Sequence, residues 1–188
     1  IDTVEGLRIF TPGNNRVSPF TINPFIPPEG VRIEQYIPSL VNAFKAAFSM
    51  PSPLDLLFLN AIRTSYTRYG WKDYSMTGDE DVQIFGLYEF ILVFKELLES
   101  SSYSRDVKSN LQSGGLFRLT SLIEQNSNIY DNINTIPVGD LLQAPTVLEL
   151  NAIDNAEQKS LIMALLLINI CVYTKYTQVG DGKLKNAI

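Results

Sequence analysis

Apolar residues at 33, 36, 37, 40, 41, 44 and 48 (Ile33, Tyr36, Ile37, Leu40, Val41, Phe44 and Phe48) fall at steps of three and four. That spacing predicts one face of an amphipathic helix beginning near Arg32. Pro38 lies off this face and predicts a kink or a later start, and Pro51 ends the run. Ser52, Pro53 and Asp55 then form a capping pattern for a second helix. Its inner face is Leu54, Leu57, Phe58, Ala61, Ile62, Tyr66 and Tyr69, and Gly70 closes it. A third helix is predicted over 87–99, with Phe90, Ile91, Phe94, Leu97 and Leu98 inward, broken by the serines of 100–104. A fourth covers 105–123, although Gly114 and Gly115 each lower its helix propensity by about 1 kcal/mol relative to alanine. The segment 124–134 carries four asparagines and predicts a loop.

Two stretches alternate instead. Residues 7–11 (LRIFT) are β-rich and run into the turn cluster at 12–15. Pro19, Pro24, Pro27 and Pro28 keep the following chain extended. The second stretch is 146–150 (TVLEL), opened by Pro145. Asp154 and Glu157 have the spacing of a capping pair for the next helix, 156–176. That helix is apolar on nearly every side, which predicts a sheet beneath it and cover elsewhere. Gly180 and Gly182 are expected to end it, and 184–188 (LKNAI) begins another strand-like run. Strand, crossover helix and strand together predict an α/β fold with parallel pairing. About 130 mostly helical residues between the first two strands exceed a single crossover, so a helical insertion is expected.

Composition narrows the chemistry. The 188 residues are 45% hydrophobic and 19% charged, enough apolar content for a packed core. A net charge of −5 opposes phosphate-backbone binding by the chain as a whole. There is no histidine, so Ser-His-Asp and Cys-His catalysis are excluded within the chain. The single cysteine, Cys171, excludes a disulfide framework and is expected to be a buried structural thiol. The longest apolar run, 161–172, is interrupted by Asn169 and is shorter than a membrane span requires, so a buried helix, no membrane partner and a cytoplasmic location are expected.

Three stretches in register resemble the HerA-type branch of the HerA/FtsK P-loop ATPases. They are LRIFTPGNNRVSPFTINPF at 7–25 with PEGV at 28–31; AAFSM, PLDLLFLNAI and YTRYGW within 47–71; and PTVLELNAIDNAEQKSLIMALLLINICVY at 145–173 with KLKNAI at 183–188. The resemblance covers nearly the whole chain, least strongly over 72–108. It implies an incomplete, mostly parallel P-loop-type sheet built from 1–31 and 137–188, with 32–136 as a large helical insertion. It also implies that the chain lies between the Walker A and Walker B motifs. No G-x-x-x-x-G-K-[ST] string is present, and Gly182-Lys183 is followed by Leu184. The full-length protein would use ATP and Mg²⁺, move on DNA and assemble into a hexameric ring, with a nuclease or other subunit as a further partner. This segment alone is expected to bind neither ATP nor metal and to be inactive.

Few side chains are candidates for a role in that reaction. Glu149 sits inside an apolar strand, where a carboxylate is costly unless paired. It would lie near the nucleotide or a partner arginine, or else on the solvent side of the strand. Arg118, in FRLTSL, would act across a subunit boundary, or form a surface ion pair. Arg63, Arg68, Arg105 and Lys108 would touch DNA phosphates, or be solvated helix surface. Asp79, Glu80 and Asp81 suggest a hard-cation loop or a solvated acidic one. A competing reading takes 32–123 as a protein-protein interaction or oligomerisation module, on the strength of Tyr66, Tyr69, Trp71, Tyr74 and Tyr88.

Overall fold

The computed structural model describes residues 4–14, 16–130 and 133–177. Among these, two short strands and seven helices are formed: β1 Arg8–Phe10, α1 Ile33–Ala47, α2 Leu54–Arg68, α3 Leu87–Ser100, α4 Arg105–Leu111, α5 Phe117–Tyr130, α6 Val138–Leu141, β2 Thr146–Leu148 and α7 Ala156–Thr177. The runs expected at 180–182 and 184–188 lie outside the described residues.

β1 and β2 pair in parallel, with Arg8 opposite Thr146, Ile9 opposite Val147 and Phe10 opposite Leu148. The Arg8 amide donates to Pro145 O at 2.9 Å and the Glu149 amide to Phe10 O at 2.8 Å, extending the ladder one bond each way. The parallel pairing expected of LRIFT and TVLEL is therefore present, and five helices lie between the two strands before the short α6.

All seven apolar positions expected on the first helix face are buried. α1 runs straight through Pro38, which sits in its second turn on the exposed side. The first amides of α1 find partners in a neighbouring loop: Ile33 N donates to Ser75 O and Glu34 N to Asp73 O, each at 3.1 Å. The cap expected from Ser52 is absent. α2 starts after Pro53 with no side-chain cap, and Asp55 instead pairs with Lys45 at 3.1 Å. The start of α7 likewise differs by one residue from expectation. Asn155, not Asp154, holds it: its Oδ1 accepts from Glu157 N at 2.8 Å and Gln158 N at 3.2 Å.

The fourth predicted helix divides. α4 passes through a π turn at Gln112–Leu116 into α5. Gly115 explains the break, because a Cβ there would lie 2.6 Å from Leu54 Cδ1 and 3.1 Å from Phe94 Cζ. The glycine lets the backbone approach α2 and α3 that closely. α5 then continues to Tyr130 across a kink at Asn126 (φ −148°, ψ 45°), where the asparagine content predicted a loop. Tertiary contacts override that local preference. Ile129 and Tyr130 are fully buried, Ile129 O accepts from Ile22 N at 2.8 Å, and the Tyr130 hydroxyl donates to Gln158 O at 3.3 Å.

The core is a stack of aromatic rings between α1, α2 and α3. Phe58 lies 4.8 Å from Phe44 and 5.2 Å from Phe90, and Phe90 lies 4.7 Å from Phe25. Phe25 belongs to the proline-bearing segment, which is fastened by three buried polar side chains. The Tyr36 hydroxyl donates to Pro24 O and the Tyr66 hydroxyl to Phe25 O, both at 2.9 Å. Asn23 donates through Nδ2 to Phe85 O at 2.9 Å and accepts from Phe25 N at 2.9 Å. α7 packs along α1, and its Ile162 and Leu165 join the same apolar cluster as the aromatic stack. The core is thus continuous across the boundary expected at 136/137.

α7 is not covered on all sides. Leu161, Ile162, Leu165, Asn169 and Val172 are buried, whereas Met163, Leu167 and Cys171 are exposed. Cys171 is therefore a surface thiol and not the buried one expected, because it lies on the face of α7 turned away from α1. By length and composition α7 also suffices to cross a membrane, the one such helix among the described residues. One stripe of it, which includes Gln158 and Asn169, packs within the protein.

Candidate functional site

In parallel α/β sheets, ligands bind at the carboxyl ends of the strands, where the chain turns toward the following helix. Here that end is formed by Thr11 after β1 and Glu149 after β2. Thr11 is buried, and its hydroxyl donates to Glu149 Oε2 at 3.4 Å. Glu149 is exposed and extended, directly after the last residue of β2. The turn at Gly13 and the single 3-10 turn Leu150–Ala152 close over each other, with the Cβ position of Gly13 only 3.3 Å from Ala152 O. The amino end of α7 follows a few residues later. Glu149 thus stands on the solvent side, at the mouth of the strand pair and beside a hydroxyl.

Arg118 lies elsewhere. Its Nη1 donates to Ser49 O at 3.0 Å, and its Nη2 lies 3.8 Å from Glu157 Oε1. It ties α5 to the α1–α2 turn and to the first turn of α7, and the carboxylate facing it is Glu157. Both side chains are partly exposed, so the pair is worth little by itself.

The four cations considered for DNA are divided between α2 and α4. Arg68 pairs with Glu96 at 2.9 Å, and Lys108 donates to Glu99 O at 2.7 Å. Arg63 faces a shallow groove of about 660 Å³ that also contains Glu34 and Asp73. Arg105 is exposed at the start of α4. Arg68 is neutralised locally, and the acids near Arg63 offset its charge.

Asp79, Glu80 and Asp81 are exposed, and Asp79 Oδ2 accepts from Met76 N at 2.9 Å within its own turn. Among the described residues no group of three histidine, cysteine or carboxylate side chains is placed to hold a metal. The aromatic group divides by burial, with Tyr69 half-buried against the core. Tyr66 and Trp71 are buried, with the Trp71 indole donating to Gln83 O at 2.8 Å, while Tyr74 and Tyr88 are exposed.

Sequence reasoning passed over three polar atoms that the fold buries without a hydrogen-bond partner, Arg8 Nε, Ser65 Oγ and Asn169 Oδ1. The signal for Asn169 was its position as the one polar residue within a long apolar run. No protein-family model, curated protein or solved structure matches this chain.

Proposed function

We propose that this chain is the part of a HerA-type P-loop ATPase between the phosphate-binding loop and the acidic Walker B strand, in a protein that couples ATP hydrolysis to translocation or processing of DNA. The observation that carries this reading is the parallel pairing of LRIFT with TVLEL across a helical insertion, followed directly by the long apolar α7. In this reading the strand-like sequence LKNAI at 184–188, which lies outside the described residues, follows α7 as the next strand of the family's β-α-β order. In this reading the nucleotide loop and acidic pair come from other parts of the protein, together with ATP and Mg²⁺. Glu149 then faces the reaction at the carboxyl end of β2, and Arg118 is available to a neighbouring subunit of the ring once Glu157 releases it.

The test is the flanking reading frame together with the activity of the complete protein. A G-x-x-x-x-G-K-[ST] loop upstream, an acidic pair after 184–188 and DNA-stimulated ATP hydrolysis are the expected results. A continuous reading frame lacking both motifs would overturn the assignment. Calorimetric titration of residues 1–188 with ATP and Mg²⁺ should give no binding, and saturable micromolar binding would overturn the placement between the motifs.

A second reading, a helical interaction module, is favoured by one observation. Tyr88 and Leu92 are exposed one turn apart on α3, 53% and 48% accessible, and form an outward apolar stripe. Sedimentation of the parent chain and a Tyr88→Ser, Leu92→Ser variant tests it. Concentration-dependent association that the variant abolishes is expected, and a monomeric parent would reject self-association through this stripe.

A further inference from the structure

Opposite the stripe that packs on α1, α7 carries an outward one. With Leu167 as its midline and about 100° per residue, Ser160, Met163, Cys171 and Thr174 all lie within about 40° of that line. Met163 and Leu167 are 53% and 43% accessible, Ser160 and Cys171 are exposed, and Thr174 is half-buried. The Thr174 hydroxyl needs no water on this face, because it donates back to Ile170 O at 2.8 Å. No charged residue interrupts the helix between Lys159 and Lys175. Single exposed apolar residues are ordinary on a surface, whereas an uncharged row about four turns long is an interaction face.

The row is symmetric about Leu167. Met163 and Cys171 stand four residues to either side, and Ser160 and Thr174 seven. A two-fold axis through Leu167 that sets the helix antiparallel to a copy of itself puts Leu167 on Leu167, Met163 level with Cys171, and Ser160 level with Thr174. Charge fixes the direction. Glu157 and Lys175 fall on one flank, each about 80° from Leu167 and near opposite ends of the row. Antiparallel pairing brings each Lys175 to within about 3 Å of the level of the partner's Glu157 along the axis, whereas parallel pairing sets like charges side by side. Lys159 falls on the other flank, level with the partner's Thr177. Both charges are available: Glu157 is held only by the long 3.8 Å contact with Arg118, and Lys175 has no carboxylate partner among the described residues.

We propose that α7 pairs antiparallel with α7 of a second copy of this chain, across a two-fold axis at Leu167. Such a contact is isologous and closes as a dimer. It differs from the head-to-tail contacts that build a ring, and it does not rest on the ATPase reading.

Sedimentation velocity over a concentration series should show a monomer–dimer equilibrium at submillimolar concentration. Leu167→Glu places two carboxylates at the axis and should weaken the dimer by a factor of about a hundred. Its circular dichroism spectrum should stay parental, because the position is exposed. Glu157→Lys should weaken the dimer by a factor of about ten, and adding Lys175→Glu should restore it. Tyr88→Ser with Leu92→Ser should leave it unchanged, which separates this contact from the α3 stripe. In a Cys171→Ser background, Leu167→Cys should give a covalent dimer on mild oxidation. The parent should not, since its two Cys171 positions stand about 12 Å apart along the axes and a disulfide needs Cα atoms within about 7 Å. Should Leu167→Glu unfold the chain, the charge reversal and its restoration decide. The proposal is overturned by a monomeric parent, by a dimer indifferent to Leu167→Glu and to the charge reversal, or by parental cross-linking as ready as that of Leu167→Cys. Leu167-dependent binding of a monomeric parent to phospholipid vesicles would also overturn it, with lipid as the occupant.

Discussion

Replacing Asn23 by alanine probes the junction between the strand region and the helical bundle. Asn23 is 1% exposed, and its side chain satisfies two groups that are themselves buried, the Phe25 N–H and the Phe85 C=O. Alanine removes both hydrogen bonds and leaves that donor and acceptor unpaired. Each orphaned buried group costs about 1–3 kcal/mol. A water entering the vacated space would recover part of this, which puts the expected loss at about 2–4 kcal/mol. With a urea slope of about 2 kcal/mol per molar, the midpoint should fall by about 1–2 M. Trp71 is the sole tryptophan and is buried, so its fluorescence reports unfolding of the bundle, with circular dichroism as the second probe. Asn110→Ala, at an exposed position of α4, should stay within about 0.5 kcal/mol of the parent. If Asn23→Ala and Asn110→Ala shift the midpoint equally, the segment 20–28 is not fastened to the bundle through Asn23.

Burial raises the hydroxyl pKa of Tyr36, Tyr66 and Tyr130 above the ordinary value near 10. Their stabilisation is complete below pH 10 and is lost above it, as the unfolded chain sheds protons that the folded chain keeps. The slope is about 1.4 kcal/mol per pH unit for each tyrosine and about 4 for the three. Urea midpoints should be insensitive to these groups up to about pH 9.5 and fall steeply beyond it, and Tyr130→Phe should remove about a third of the fall; normal titration of all nine tyrosines in the folded protein would contradict this. Gly70 ends α2 at φ +84°, with its Cβ position 2.5 Å from Asp81 O. Gly70→Ala should therefore cost about 2–3 kcal/mol, and an unchanged melting temperature would show that the turn relaxes freely. Breaking the partly exposed Arg118–Glu157 pair by Glu157→Gln should change stability by less than about 1 kcal/mol, and a larger loss would mean that the pair anchors α5 to α7.

The sequence by itself determined the helix faces and the parallel pair. Periodicity placed α1, α2 and α3 because their buried positions repeat every three or four residues, and burial of such a stripe dominates local preference. The alternation in LRIFT and TVLEL marked two strands, and the long, mostly helical connection between them is of the kind that parallel neighbours need, since a tight hairpin joins only antiparallel ones. Glu149 was legible as a carboxylate in a strand, but alternation alone left its side of the sheet open. Only the tertiary structure put it on the exposed side with Thr11 as neighbour. Three further features were decided by contacts distant in sequence. Packing against Leu54 and Phe94 turned the Gly114-Gly115 stretch into a π turn, and the Ile22 and Gln158 contacts carried α5 through an asparagine-rich segment. The one-sided burial of α7 exposed Cys171 and left Asn169 Oδ1 without a donor. Local sequence encodes which residues prefer to be inside, whereas which partner fills each space is a property of the assembled chain.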